Sequence, residues 1–96
     1  MMYKIEFDPK VKKQLKKLDK TASSKIIRWL YANVDGTSLP RLHGKALTGD
    51  LAGLWRYRIG DYRVICDIQD DKLVILAVHI AHRKQVYKFK LPNNKR

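Results

Sequence analysis

Two consecutive runs decide how this chain folds. The first is Leu54-Trp55-Arg56-Tyr57-Arg58-Ile59-Gly60-Asp61-Tyr62-Arg63-Val64-Ile65-Cys66-Asp67-Ile68-Gln69; the second, past Asp70-Asp71, is Lys72-Leu73-Val74-Ile75-Leu76-Ala77-Val78-His79-Ile80-Ala81-His82. Apolar and polar residues alternate with the period of two that belongs to half-buried strands. Gly60-Asp61 supplies a two-residue hairpin turn and Asp70-Asp71 a second one. The pattern therefore predicts three antiparallel strands, over Leu54–Ile59, Tyr62–Gln69 and Lys72 to about His82. Parity then separates their faces. Trp55, Tyr57 and Ile59 share the core face with Tyr62, Val64, Cys66 and Ile68, joined by Val74, Leu76, Val78 and Ile80. The opposite face collects Arg56, Arg58, Arg63, His79 and, if the strand persists, Arg83, beside Ile65, Ala77 and Ala81, with only Asp67 against the arginines. Ordinary surfaces mix both signs of charge. A guanidinium presents a planar fork that matches phosphate oxygens, so this face reads as a seat for an anion.

Upstream, Tyr3, Ile5 and Phe7 alternate with Lys4 and Glu6 as a further strand. Asp8-Pro9 reads as a helix start, with Asp8 as N-cap and Pro9 at the first helical position. Val11, Leu15 and Leu18 give that helix a narrow apolar stripe under Lys10, Lys12, Lys13, Lys16, Lys17 and Lys20. A second helix is predicted from about Thr21 to Asn33. It turns Ala22, Ile26, Ile27, Leu30 and Val34 inward, with Trp29 at the margin and a short joint near Asp19. Periodicity stops between Asp35 and Gly53, where four of the five glycines and Pro40 fall. Such a long structureless stretch is either functional or ordered by a partner. Beyond the strands, Tyr87, Phe89 and Leu91 alternate with Lys88 and Lys90 in a short ambiguous segment. The expected fold class is α+β, in the order β-α-α-β-β-β, with a helical hairpin packed on one face of a small, mostly antiparallel sheet. One domain takes residues 1–91, and 92–96 is a short basic tail.

Composition narrows the partners. Lys and Arg number 21 against 9 Asp and Glu, a formal charge of +12 on 96 residues. A compact fold repels itself at such a charge, so nucleic acid, an anionic membrane surface or an acidic protein is expected nearby. At 45% hydrophobic the chain is globular and not a disordered basic tail. The membrane has least support, because the first helix offers only a three-residue apolar stripe under its lysines. A single cysteine, Cys66, excludes a disulfide framework and a Cys-rich zinc site. The start carries no apolar targeting region, and the run Leu73–Val78 is far short of a membrane span. A cytoplasmic domain without metal or cofactor is expected. His79 and His82 stand three apart on a strand, on opposite faces, and would not share a metal.

The run Leu54–Ile65, with its Arg-x-Arg-Ile-x-x-Tyr-Arg core, and the run Leu73–Tyr87, ending His82-Arg83-x-x-Val86-Tyr87, resemble the RelE branch of the RelE/ParE toxin superfamily. The strand before Asp8-Pro9 and the lysine-rich helix share the likeness, which covers nearly the whole chain. The resemblance implies the RelE/ParE-like, microbial-RNase-like fold and the activity of a toxin that enters the ribosomal A site and cuts the messenger RNA there. Matched position by position, Arg56 and Arg58 fall where the family contacts the messenger and helps activate its 2′-hydroxyl. Arg63 matches a phosphate-stabilising arginine, Arg83 the arginine that supports the leaving group, and Tyr87 an aromatic residue that orients the nucleotide. His43 or Lys45 falls near a basic loop residue of the family, and Lys13 and Lys88 complete the expected RNA contacts. The resemblance also implies an acidic RelB-like antitoxin, in a toxin–antitoxin heterotetramer, covering the basic face.

Cutting RNA by 2′-hydroxyl attack needs one proton removed, one delivered to the 5′-oxygen, and charge stabilised on the phosphoryl oxygens. Arginines serve the third task and hold their protons too tightly for the first two. His43, Lys45 and His82 are the candidate proton carriers, along with water and the ribosome itself. Trp29 and Trp55 read as core or core edge. Two rival functions share these residues: a ParE-like toxin that binds DNA gyrase, and a non-catalytic RNA-binding homologue.

Overall fold

A computed structural model describes residues 2–85. Strand β1 (Lys4–Phe7) leads into helix α1 (Pro9–Lys17), whose N-cap Asp8 accepts from the Lys10 amide. Leu18 then turns extended, and Asp19 caps helix α2 (Lys20–Asn33) by accepting from the Ala22 amide. The expected hairpin and its joint are thus set by two aspartates, each satisfying an amide with no partner inside its helix. After a loop come β2 (Lys45–Ala46), a single 3-10 turn (Gly49–Leu51), β3 (Trp55–Ile59), β4 (Tyr62–Gln69) and β5 (Val74–His82). The five strands lie in the order β1-β5-β4-β3-β2, with β1 parallel to β5 and the remaining pairs antiparallel.

The helices cover one face of this sheet. Val11, Ile26, Leu30 and Val34 pack against Ile5, Tyr57, Ile59, Val64, Cys66, Ile75, Ala77 and Ile80. Trp29 and Trp55 sit at its margin, half-buried, as read from the sequence. The parity expected for the last strand is corrected here. Ile75 and Ala77, not Leu76 and Val78, reach the main core, yet Ile80 reaches it too. The cause is a β-bulge. Cys66 pairs with Ala77 and Ile65 with His79, so Val78 is an extra residue and the side chains change face at that point. The strand also begins at Val74 and not Lys72. The turn needs four residues, and Leu73 adopts the left-handed conformation at φ 54°.

The second correction concerns residues 35–53, which the chain orders itself. Within it β2 pairs with β3, Lys45 opposite Arg56 and Ala46 opposite Trp55. The Tyr57 hydroxyl donates to the buried Pro40 carbonyl, and Trp55 Nε1 to the His43 carbonyl at 2.7 Å. Burial raises the Tyr57 hydroxyl well above the usual phenol range, so it stays a donor. Asp70 clasps the same segment from the β4–β5 turn: it receives both Nη atoms of Arg41, at 3.0 and 2.9 Å, and the Tyr3 hydroxyl at 2.6 Å. Leu47 and Leu51 then fold over Leu54, Ile65, Leu76 and Val78 as a second small apolar cluster. Among the described residues no helix is long and apolar enough to cross a membrane.

Candidate functional site

Strand pairing decides which of the expected residues meet, because partners across a ladder share a face. Tyr57 opposite Val64 and Ile59 opposite Tyr62 belong to the helix side of the sheet. Arg58 opposite Arg63, and Arg56 opposite Ile65, therefore lie on the side away from the helices. Lys45 extends the Arg56 row across β2, and Ala81 extends the Arg58–Arg63 row across β5. The two rows are two residues apart along β3, about 7 Å at the usual strand rise. Beyond Arg56 the face becomes apolar with Leu54, Leu76 and Val78. Only half of it is a cationic site; the 3-10 turn covers the rest.

The arginines differ in freedom. Arg58 is exposed. Arg56 is half-buried, and its Nε is shut from solvent with no hydrogen-bond partner. Arg63 is only 9% exposed, and its Nη1 donates at 3.0 Å to the carbonyls of both Gly60 and Tyr62, so it braces the hairpin turn while Nε and Nη2 remain to act. Arg83, just past β5, is held to the same turn. Its amide donates to the Asp61 carbonyl at 2.7 Å, and its Nε stands 3.6 Å from Asp61 Oδ1. Asp61, read from the sequence only as a turn residue, thus anchors Arg83 at the Arg58–Arg63 end of the site. No periodicity signals that role; an acid two residues before a site arginine was the available hint.

The structure does not bring His43 or His82 to this face, whereas His79 lies in the Arg56 row by strand register. The His43 ring stands edge-on to Trp29 of α2, centroids 5.5 Å apart, on the helix side. His82 stands edge-on to Tyr62 at 5.4 Å, and its Nδ1 accepts from the Lys84 amide at 3.2 Å, which fixes the strand end. His79 pairs opposite Ile65, but its ring is drawn to α1, with Nδ1 3.4 Å from Gln14 Nε2. Burial, then the nearby Lys10 charge, lowers its pKa to about 4. Lys13 is exposed on α1, also on the helix side. Tyr87 and Lys88 lie outside the described residues. Among those described, no three His, Cys, Asp or Glu residues gather as a metal site. Buried Cys66 has its thiol raised by desolvation and is no nucleophile.

What this arrangement can do is hold an anion. Like charges directly opposite one another destabilise a sheet, and here Arg58 faces Arg63 and Lys45 faces Arg56. Comparison with known proteins identifies relatives of the chain. The family described as "ParE toxin of type II toxin-antitoxin system, parDE" matches residues 5–87. The chain is 25% identical to Toxin RelG of Mycobacterium tuberculosis over 88 residues, 92% of this chain and 99% of that protein. It is 43% identical to Toxin RelE of the same organism over 49 residues, 51% of this chain and 50% of that protein. Its fold resembles the toxin–antitoxin complex RelBE2 of M. tuberculosis with a TM-score of 0.77 at 24% identity, covering 86% of this chain and all of that one.

Proposed function

The chain belongs to the ParE toxin family of type II toxin–antitoxin systems, and on that premise we propose that it is a RelE-type toxin that cleaves messenger RNA in the ribosomal A site. The observation that carries this reading is the doubled cationic ladder, Lys45–Arg56 and Arg58–Arg63, which an RNA phosphate would neutralise. Arg58 and Arg63 stabilise the charge that develops on the phosphoryl oxygens, Arg56 holds the nucleotide on the attacking side, and Arg83 supports the departing 5′-oxygen. The relatives named RelG and RelE favour the RelE-type reading over the ParE-like one. The same cationic face takes an acidic RelB-like antitoxin when the toxin is silent.

Purified ribosomes programmed with a defined message test the proposal. Cuts within the A-site codon are expected from the wild type. They should slow by ~10²–10³ in Arg58→Ala, the usual cost of one pre-organised charge stabiliser. Folded protein that leaves the message intact would overturn the reading, and inhibition of gyrase supercoiling in its place would establish the ParE-like alternative. For the partner, co-expression with the neighbouring open reading frame should yield a complex and relieve growth arrest.

A further inference from the structure

The cationic ladder that carries the proposed function works against its own pairing. Lys45 faces Arg56 across it, and like charges directly opposite one another push strands apart. β2 has two residues, too few to hold a hairpin by itself. The loop that delivers β2 is therefore fixed from outside the ladder. Its start is tied to the edge of β1, where the Tyr3 amide donates to the Thr37 carbonyl and the Gly36 amide to the Tyr3 carbonyl, both at 2.8 Å. Tyr57 and Trp55 donate to the carbonyls of Pro40 and His43. Between those two anchors stands Arg41. Both its Nη atoms donate to Asp70, at 3.0 and 2.9 Å, and the same carboxylate accepts from the Tyr3 hydroxyl. Asp70 sits on a firm post. The Lys72 amide closes the β4–β5 turn onto the Gln69 carbonyl at 3.1 Å, and the Lys4 amide docks that turn on β1 by donating to the Leu73 carbonyl at 2.9 Å. Hydrogen bonds from Arg41 and then Tyr3 hold the Asp70 carboxyl below the usual carboxylate range, so it is a charged acceptor at neutral pH.

Resting on the proposed cleavage of RNA, we infer that Asp70 is a positioning residue for it: through Arg41 it holds the loop so that Lys45 stays opposite Arg56 before RNA arrives. Asp70 does not touch the RNA. It stands past the end of β4, beyond Ile65, the residue that pairs with Arg56. Five residues of strand span roughly 17 Å, out of reach of a phosphate at the arginines. Its role is pre-organisation. A loop without its clasp is ordered only when RNA binds, and the apparent affinity falls by the fraction of molecules still closed. Once bound, the RNA phosphate neutralises the ladder and holds the loop itself, so the chemical step is untouched. Charge alone gives the opposite sign. Removing an acid from a chain of charge +12 strengthens its attraction for a polyanion. At roughly 17 Å even that effect is screened at physiological salt, where the Debye length is about 8 Å.

Asp70→Asn tests this role, since asparagine keeps the size of the side chain and suits the same turn. Ribosome cleavage by this variant should show KM raised about three- to tenfold, with kcat within about twofold of the wild type. Hydrogen exchange should quicken at the Leu47 amide and the Trp55 indole N–H, which bond across the loop. It should stay as in the wild type at the Val64 and Ile75 amides of the central strands, which separates a loosened loop from a weakened fold. Combining Asp70→Arg with Arg41→Glu rebuilds the ion pair in reverse at unchanged net charge, and should bring KM back toward the wild type from the raised value of Arg41→Glu alone. A combined variant with KM as high as that of Arg41→Glu would mean that Arg41 touches RNA itself, and would overturn the role of Asp70. An unchanged or lower KM in Asp70→Asn, while the wild type cleaves, would overturn it equally and leave the proposed function standing. A wild type that does not cleave at all removes the function and this role together.

Discussion

Gln14 shows how one side chain replaces a missing strand. Past Phe7, β1 ends and β5 continues, leaving the Ile80 backbone unpaired on that edge; Gln14 Oε1 accepts from the Ile80 amide and its Nε2 donates to the Ile80 carbonyl, both at 2.9 Å. The neighbouring His79 is half-buried by the same contact and is held neutral, with its pKa lowered to about 4 by burial and then by Lys10. The sign follows directly. Between about pH 4 and the ordinary histidine value near 6.5 the unfolded chain binds a proton that the folded one refuses, so stability falls as pH drops through that window. His79→Gln removes this linkage. Urea unfolding at pH 7 and pH 4.5 should show a smaller loss of stability for His79→Gln than for the wild type; equal losses would mean that His79 titrates alike in both states. The sequence placed His79 by strand parity but could not show this burial, which depends on a glutamine 65 residues away.

Among the elements, those built from local rules were legible and those built from distant contacts were not. Asp8-Pro9, the lysine-flanked Val11–Leu15–Leu18 stripe and the Gly60-Asp61 turn announce themselves, because capping and turn chemistry act within a few residues. The bulge at Val78 has no local signature, and it moved Ile75 and Ala77 into the main core. The two-residue β2 was hidden as well, since Trp55, Tyr57 and Asp70 order its loop from elsewhere in the chain. For the same reason the arginine face was legible, resting as it does on a regular hairpin, whereas the absence of His43 and His82 from it was not. Gly44 is where this element is most exposed to damage. At φ 86° an added Cβ would run into the Arg56 carbonyl oxygen and stand 2.6 Å from Trp55 Nε1. Gly44→Ala should therefore cost roughly 1–3 kcal/mol from the backbone conformation alone and push β2 off β3. The expected result is a lowered Tm together with loss of amide protection at Lys45 and Ala46 in hydrogen exchange. A variant with the wild-type Tm would show that the loop relaxes freely.

At the scale of the whole molecule the formal charge is +12, and among the described residues two groups of cations lie on opposite sides of the sheet. The arginine face carries Arg56, Arg58 and Arg63, while Lys12, Lys13, Lys16 and Lys17 are exposed on α1 in the opposite layer. A helix stacked on a sheet stands about 10 Å from it, and exposed side chains lie farther still. At physiological ionic strength the Debye length is about 8 Å, whereas at 0.01 M it is about 30 Å. The lysine layer is therefore screened from the site under cellular conditions and coupled to it in dilute salt. Replacing those four lysines by glutamine should lower kcat/KM for ribosome cleavage at 0.01 M salt, leave it little changed at physiological salt, and leave kcat alone at both. Arg58→Ala should lower kcat at every salt concentration, because its contact with phosphate is direct. A uniform loss in the lysine variant across the salt series would mean instead that α1 itself touches RNA. In that case the slope of log K against log salt should flatten by roughly 0.7 for each single-strand phosphate contact removed. A slope unchanged from the wild type, with kcat/KM falling only at low salt, would assign α1 to long-range attraction and the site to the arginine strands.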